Sequence, residues 1–214
     1  ASKVKKGMRT TSPKNKLARR EGIDMGFKTP GSKSHASLLR RLSIKPGQHG
    51  SKRQRRKQSE VGKQLREKQK LKYLFGLSEK QLKNNFKIAI KKRGNTSLLL
   101  SQILEKRLDN IVYRLGFAPT RASARQLVNH KHIKVNNQIV STASYMVRVN
   151  DSVEIAKEKT KKIPYIELFM QNEEFIMPKW LKRKKEKGEL IAEPSNEEID
   201  KQIDLRSVVE FYSR

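Results

Sequence analysis

The stretch LEKRLDNIVYRLGFAPTRASARQLVNHKHIKVNNQIVSTASYMVRVNDSVEI, residues 104–155, decides the fold of this 214-residue chain. Leu104, Leu108, Ile111, Val112 and Leu115 recur at three- and four-residue steps, the spacing of one helix face. Gly116 is the expected stop, because glycine takes the left-handed conformation that a helix end favours. Thr120 is placed to cap a second helix, its side-chain oxygen accepting from a free backbone N–H. Ala122, Leu127 and Val128 give that helix a thin apolar stripe. The period then changes to two. Ile133 and Val135 alternate with His132, Lys134 and Asn136, Asn136-Asn137 reads as a turn, and Ile139-Val140 opens a return strand. Val147, Val149, Val153 and Ile155 repeat the pattern around Asn150-Asp151. Two helices on a short antiparallel sheet are expected.

Prominent among the polar residues of this stretch are six cations: Arg107, Arg114, Arg121, Arg125, Lys131 and Lys134. Arg121 and Arg125 are four apart and share a helix face. Their guanidiniums repel, and an anion lying across both removes the repulsion. Guanidinium also matches phosphate with two parallel hydrogen bonds. A merely solvated face is the alternative. It is the weaker one in a chain with 50 Lys+Arg against 21 Asp+Glu, a net charge of +29. Such an excess opposes compaction unless a polyanion neutralises it, so nucleic acid is the first partner expected and an anionic membrane the second. No apolar run approaches the roughly 18 residues of a spanning helix. No signal-peptide core follows the basic N-terminus. A soluble intracellular protein without a membrane partner is expected. The absence of cysteine excludes disulfides and thiolate metal sites. An apolar fraction of 35% predicts small cores, with segments that order against the partner.

Outward from this centre, residues 1–45 read as a basic extension, with no acid among the first twenty and a short helix supported by Leu38, Leu39, Leu42 and Ile44. Pro46-Gly47-Gln48-His49-Gly50 is a loop, and Lys52, Arg53, Arg55, Arg56 and Lys57 form the densest charge cluster. Ser59 opens a helix that Gly76 stops, with Val61, Leu65, Leu71, Leu74 and Phe75 as its apolar residues. Lys63, Arg66, Lys68, Lys70 and Lys72 occupy its other faces. Ser78-Glu79-Lys80-Gln81 is a capping box, and Leu77 and Leu82 have the spacing of a hydrophobic staple for a helix running to Gly94. A further helix over about 98–106 leads into the centre. Beyond it come a basic turn at 157–162, a short helix at 163–170 and Trp180, read as a packing anchor. A basic run follows at 182–187. The charge then inverts. Glu197, Glu198, Asp200 and Asp204 form an acidic patch suited to a basic protein neighbour, with charge balancing inside the chain as the alternative. Ser195-Asn196-Glu197-Glu198 is a second capping box, and Leu205, Val208, Val209, Phe211 and Tyr212 end the chain at helix spacing.

The central residues also carry a resemblance. Arg107-Leu108-Asp109-Asn110, Tyr113-Arg114, Gly116-Phe117, Thr120-Arg121-Ala122, Ala124-Arg125-Gln126-Leu127-Val128, His130, Ile133, Val135-Asn136, Ser144-Tyr145 and Asp151 resemble the S-four-type RNA-binding domain. The family usually has glycine after Val135-Asn136. Asn137 stands there in this chain, and asparagine also tolerates a left-handed turn. Pro46 to Gly50, Leu65 to Leu71 with Tyr73 and Gly76, Lys92-Arg93-Gly94-Asn95-Thr96 and Val209 to Arg214 extend the resemblance to the small-subunit ribosomal protein S-four family, from about residue 46 to 214.

The resemblance implies an α+β protein. A mostly helical subdomain at 46–97 is completed by 195–214, an insert at 98–194 contains the RNA-binding module at about 104–155, and 1–45 form the basic N-terminal extension. It implies a structural constituent of the small ribosomal subunit that is a primary binder of the 5′ domain of small-subunit ribosomal RNA and nucleates assembly. It also implies contact with ribosomal protein S-five and with messenger RNA near its entrance, and an influence on translational accuracy. The location would be the cytoplasmic ribosome of a bacterium, or an organelle ribosome of bacterial type, and the chain is not expected to form a homo-oligomer. The expected RNA contacts are Arg53, Arg55, Arg56, Arg66, Lys70, Lys72, Arg107, Arg114, Arg121, Arg125, Gln126, His130 and Lys134. Many relatives bind zinc through N-terminal cysteines. This chain has none, so no metal, cofactor or catalytic residue is expected.

The competing reading is an RNA-modifying or quality-control factor with the same module. Arg107-Leu108-Asp109 resembles the nucleophile triplet of pseudouridine synthases. The triplet lies inside the module, however, and no β-rich stretch remains for a catalytic domain. Asp109 is expected to pair with an arginine instead, and His130 and His132 are read as RNA contacts or surface.

Overall fold

The computed structural model describes residues 13–50, 58–161, 163–171, 177–184, 186–195 and 202–214. In chain order its helices are α1 (Lys14–Glu21), α2 (Lys33–Arg40), α3 (Glu60–Leu74), α4 (Glu79–Lys91), α5 (Thr96–Glu105), α6 (Leu108–Arg114), α7 (Arg121–Asn129), α8 (Glu158–Lys161), α9 (Pro164–Gln171) and α10 (Leu205–Ser213). The strands are β1 (Ile133–Val135), β2 (Gln138–Ile139), β3 (Ser152–Ile155), β4 (Leu181–Lys184) and β5 (Lys187–Leu190). Two compact units divide the chain: residues up to Leu100 with the C-terminal segment, and Ser101–Ser195. The fold is α+β.

In the first unit the helix ends are set locally. The Ser59 hydroxyl accepts from the Gly62 N–H at 3.2 Å. Ser78 and Gln81 cap each other reciprocally, at 3.3 and 3.0 Å, and the staple residues Leu77 and Leu82 are buried. At Gly76, with φ +59°, the Gly76 N–H donates to the Tyr73 carbonyl and the Leu77 N–H to the Lys72 carbonyl, the paired closure that glycine allows. The inward row of α3 differs from the expected one. Gln64, Lys68, Leu71 and Leu74 are buried, whereas Val61 and Leu65 are 46% and 40% exposed. The reason is the partner helix, α10, which brings polar as well as apolar groups to α3. Glu210 accepts from the Gln64 amide at 2.8 Å. The Lys68 ammonium donates to Glu79 at 2.8 Å and lies 4.6 Å from the Phe211 ring centre. Tyr212 donates to the same Glu79 at 2.8 Å and stacks on Phe86 at 4.8 Å. Residues 13–50 hold two helices in this unit, with Leu17, Ala18, Met25 and Leu38 buried. Arg19 donates to the Ile44 and Lys45 carbonyls, and Asp24 pairs with His35 at 2.8 Å.

In the second unit α6 and α7 pack on an antiparallel sheet of order β2-β1-β3-β5-β4. The single helix face expected from Leu104 to Leu115 is broken. At Arg107 the chain is extended, and the segment around it bonds to another part of the chain. Leu108 N–H donates to the Tyr145 carbonyl and Val147 N–H to the Lys106 carbonyl. Val147 and Val149 therefore precede the strand rather than belonging to it, and Asn150, at φ +72°, turns the chain into β3. Ala124, not Ala122, completes the apolar stripe of α7 with Leu127 and Val128. Asn136 and Asn137 both take positive φ, the requirement of a two-residue hairpin turn, and β1 pairs with β2 across them. The sheet runs past residue 155. Of the expected basic run at 182–187, Lys182, Arg183 and Lys184 lie in β4 and Lys187 in β5, strands whose Leu181 and Leu190 join Trp180 and Ile166 in the core. Gly188 lies opposite Val153, and a Cβ there would stand 2.3 Å from Leu115 Cδ1. Glycine lets α6 sit this close to the sheet.

Candidate nucleic-acid interface

The candidate face of the second unit begins with the start of α6. Arg107 is its N-cap, and Asp109 lies in its first turn. Arg107 is only 4% exposed. Its guanidinium donates to both oxygens of Asp109, at 3.2 and 3.0 Å. This corrects the expectation of Arg107 as an RNA contact: a buried carboxylate two residues away holds it inside. Arg125 on α7 approaches the same carboxylate, 3.8 Å from Asp109 Oδ2, and keeps 26% of its side chain exposed.

A second network starts at Glu105, buried at the end of α5. It accepts from Arg114 at 2.7 and 3.2 Å and from the Asn110 amide. The Asn110 oxygen accepts from Arg121 Nε at 2.9 Å, and the Arg121 guanidinium lies 4.5 Å from the Tyr113 ring centre, over its face. Burial first, then the charge of Arg114, pushes the Arg121 guanidinium below its usual value. Arginine nevertheless keeps its proton. The mutual repulsion expected of Arg121 and Arg125 is thus answered inside the protein, by Asp109 for one and by Asn110 and Tyr113 for the other. The arginines are held in fixed positions before any ligand arrives.

Around these, Gln126, His130 and Lys131 are exposed, and Lys134 is half-buried on β1 with Glu154 opposite. Asn129, also exposed, was not among the expected residues. Its place three residues after Gln126, on the same helix side, is the signal that points to it. Trp180 is 5% exposed and serves as a packing anchor.

In the first unit, Arg66 and Lys70 line a groove of about 760 Å³ with Lys16, Arg20, Lys45 and Lys63. Carboxylates share it: Arg66 pairs with Glu21 at 3.0 Å and Lys70 with Glu67 at 2.6 Å. Lys72 is not part of this lining. It lies 3.6 Å from Glu79 and over the Tyr73 ring. Asp204, expected at a protein interface, caps α10 by accepting from the Arg206 and Ser207 N–H groups and the Ser207 hydroxyl. The hydroxyl bond, with the backbone bonds, holds its carboxyl below the usual range despite partial burial. Glu193 pairs with Lys106, so part of the acid is balanced within the chain, and Glu210 accepts from the neutral Gln64 amide. Arg53, Arg55, Arg56, Glu197, Glu198, Asp200 and the second capping box lie, wholly or in part, outside the described residues. Among the described residues, no helix is long and apolar enough to cross a membrane, and no group of three potential metal ligands occurs.

Residues 9–105 match the Ribosomal protein S4/S9 N-terminal domain, and residues 106–153 match the S4 domain. The junction between the two falls where α5 ends and the chain turns at Arg107. Small ribosomal subunit protein uS4 of Aquifex aeolicus is 46% identical over 213 residues, covering 96% of this chain and 99% of that one. The uS4 protein of Herpetosiphon aurantiacus is 44% identical over 210 residues, with the same coverage. That of Thioalkalivibrio sulfidiphilus is 42% identical over 208 residues. With identity of this level over nearly the full length of both chains, this protein belongs to the family of small ribosomal subunit protein uS4.

Proposed function

We propose that this chain is a structural RNA-binding component of the small ribosomal subunit and binds the 5′ domain of small-subunit ribosomal RNA early in assembly. The observation that carries the reading is the pre-set arginine framework of α6 and α7. Two buried carboxylates, Asp109 and Glu105, fix Arg107 and Arg114 and bear on Arg125 and, through Asn110, on Arg121. Folded RNA is recognised by its shape, phosphates and 2′-hydroxyls, which favours a rigid surface over a mobile basic tail. Arg121, Arg125 and Lys134 meet phosphates and release counterions, which supplies affinity. Gln126 and His130 reach sugars or bases. Arg66 and Lys70 give the first unit its own phosphate surface, with Arg53, Arg55, Arg56 and Lys72 as further contacts.

By family likeness, the chain works in the cytoplasmic or organellar ribosome without forming a homo-oligomer. It meets ribosomal protein S-five through its acidic C-terminal stretch, lies near the messenger entrance, and so affects decoding accuracy. The test is binding to a folded 5′-domain fragment, equal-length duplex DNA and unrelated RNA over a salt series. The expected result is a fragment affinity far above both competitors at physiological salt. Three equal affinities that fade together would reduce the site to a basic surface.

A further inference from the structure

We propose that His130 and His132 form a stacking platform for one unpaired base of the bound RNA, with His130 as the ring in contact. This deepens the RNA-binding reading and rests on it. The two rings are stacked, with centres 6.2 Å apart and planes 20° from parallel. Their arrangement follows from how α7 ends. Lys131 N–H donates to the Val128 carbonyl and His132 N–H to the Leu127 carbonyl, both at 3.0 Å. That closure puts Lys131 in the left-handed conformation, at φ +61°, where glycine is the usual occupant. A left-handed lysine is strained, and such strain persists where surrounding contacts hold it and a site uses it. Here the reversal between residues 130 and 132 is what lets the two rings face each other.

The inner ring is fixed and the outer one is free to be covered. His132 Nδ1 lies 2.7 Å from the hydroxyl of Thr160, which is buried, and the His132 carbonyl accepts from the Ala156 N–H at 2.8 Å. Burial, then the charges of Lys157 and His130, holds the His132 imidazole below its usual value. A ring anchored on α8 therefore backs an exposed one. Gln126, Asn129 and Lys131 are exposed beside His130, and Lys157 beside His132. Amides suit a base edge and ammonium groups suit the flanking phosphates. Trp180 is covered by the core and the Tyr113 face by Arg121, while Tyr145, 37% exposed, lies in the segment that bonds to the start of α6. Unpaired RNA bases stack on histidine as on larger aromatic rings.

The test uses the full chain and three variants: His130→Ala, His130→Phe and His130→Lys. Affinity for the folded 5′-domain fragment is measured over a salt series. Stacking is read directly by quenching of 2-aminopurine in a single-stranded RNA oligonucleotide. His130→Ala should bind about tenfold more weakly with an unchanged salt slope, and His130→Phe should stay within about threefold of the parent, since stacking tolerates any flat ring. His130→Lys should be as weak as His130→Ala. Quenching should follow the ring, present in the parent and His130→Phe only. The proposal is overturned if His130→Phe is as weak as His130→Ala, or if His130→Lys restores affinity, because a hydrogen bond or a charge would then be the contact. If the parent fails to prefer the ribosomal fragment while ring-dependent quenching persists, the ribosomal reading falls and the platform stands. Preference for the fragment with ring-independent quenching gives the reverse.

Discussion

Asp109 accepts two hydrogen bonds from Arg107 and stands 3.8 Å from Arg125, so one buried carboxylate bears on two guanidiniums. Asp109→Asn leaves the Arg107 charge buried beside a neutral amide. The expected loss is about 3 kcal/mol of folding stability, read from a urea unfolding midpoint, because an unpaired buried charge costs far more than the pair contributes. Lys134→Ala belongs to a different class. It should weaken binding to every RNA alike and flatten the salt slope by about 0.7 to 0.9, the share of one phosphate. The sequence placed Arg121 and Arg125 on one helix face by spacing alone. It could not assign Arg107 to the interior. Arginine is rarely buried without a partner, and that partner is recognised only once the chain is seen to break at residue 107.

The docking of α10 onto α3 and α4 converges on Glu79. Burial raises its pKa, but the bonds from Lys68 and Tyr212 and the charges of Lys68 and Lys72 outweigh that, and its carboxyl sits below the ordinary value. A depressed carboxyl contributes stability that is present above its unfolded pKa and lost as pH falls through the folded one. The thermal midpoints of the parent and Glu79→Gln should therefore differ near neutral pH and converge on acidification below the usual carboxylate range. The sheet offers a packing counterpart. Gly188→Ala forces a methyl against Leu115 and should destabilise by about 1–3 kcal/mol, the usual cost of overpacking. Leu115→Ala in the same chain should recover part of that loss, a coupling that a double-mutant cycle measures.

Helix starts at Ser59, Ser78 and Thr120 were legible because a cap and the backbone N–H that donates to it lie within three residues. The β4–β5 hairpin was not. Lys182, Arg183, Lys184 and Lys187 read as charge, yet Arg183 turns inward with Leu181, Gly188 and Leu190 and donates to the Leu115 carbonyl, a pattern that needs β3 and α6 beside it to be seen. The inward row of α3 failed for the same reason, since α10 lies some 140 residues further along (Gln64 to Glu210 spans 146).

For the whole molecule, a net charge of +29 acts against compaction in the RNA-free chain. Added salt should therefore raise its melting temperature, because the screening length shrinks from about 10 Å at 0.1 M to about 3 Å at 1 M. The same salt should weaken RNA binding. Opposite signs in scanning fluorimetry and in affinity would show that one charge excess drives both. The order of synthesis adds a constraint of its own. The second unit, Ser101–Ser195, emerges whole and contains all of its sheet. The first emerges early yet lacks α10 until the whole second unit has been made, so the inner row of α3 stays uncovered while Ser101–Ser195 is synthesised. Domains generally fold as units while the chain is being made. A nascent chain of this protein therefore carries a finished module behind the first part of an unfinished one, and the arrival of α10 decides whether the earlier part closes or is recognised as incomplete.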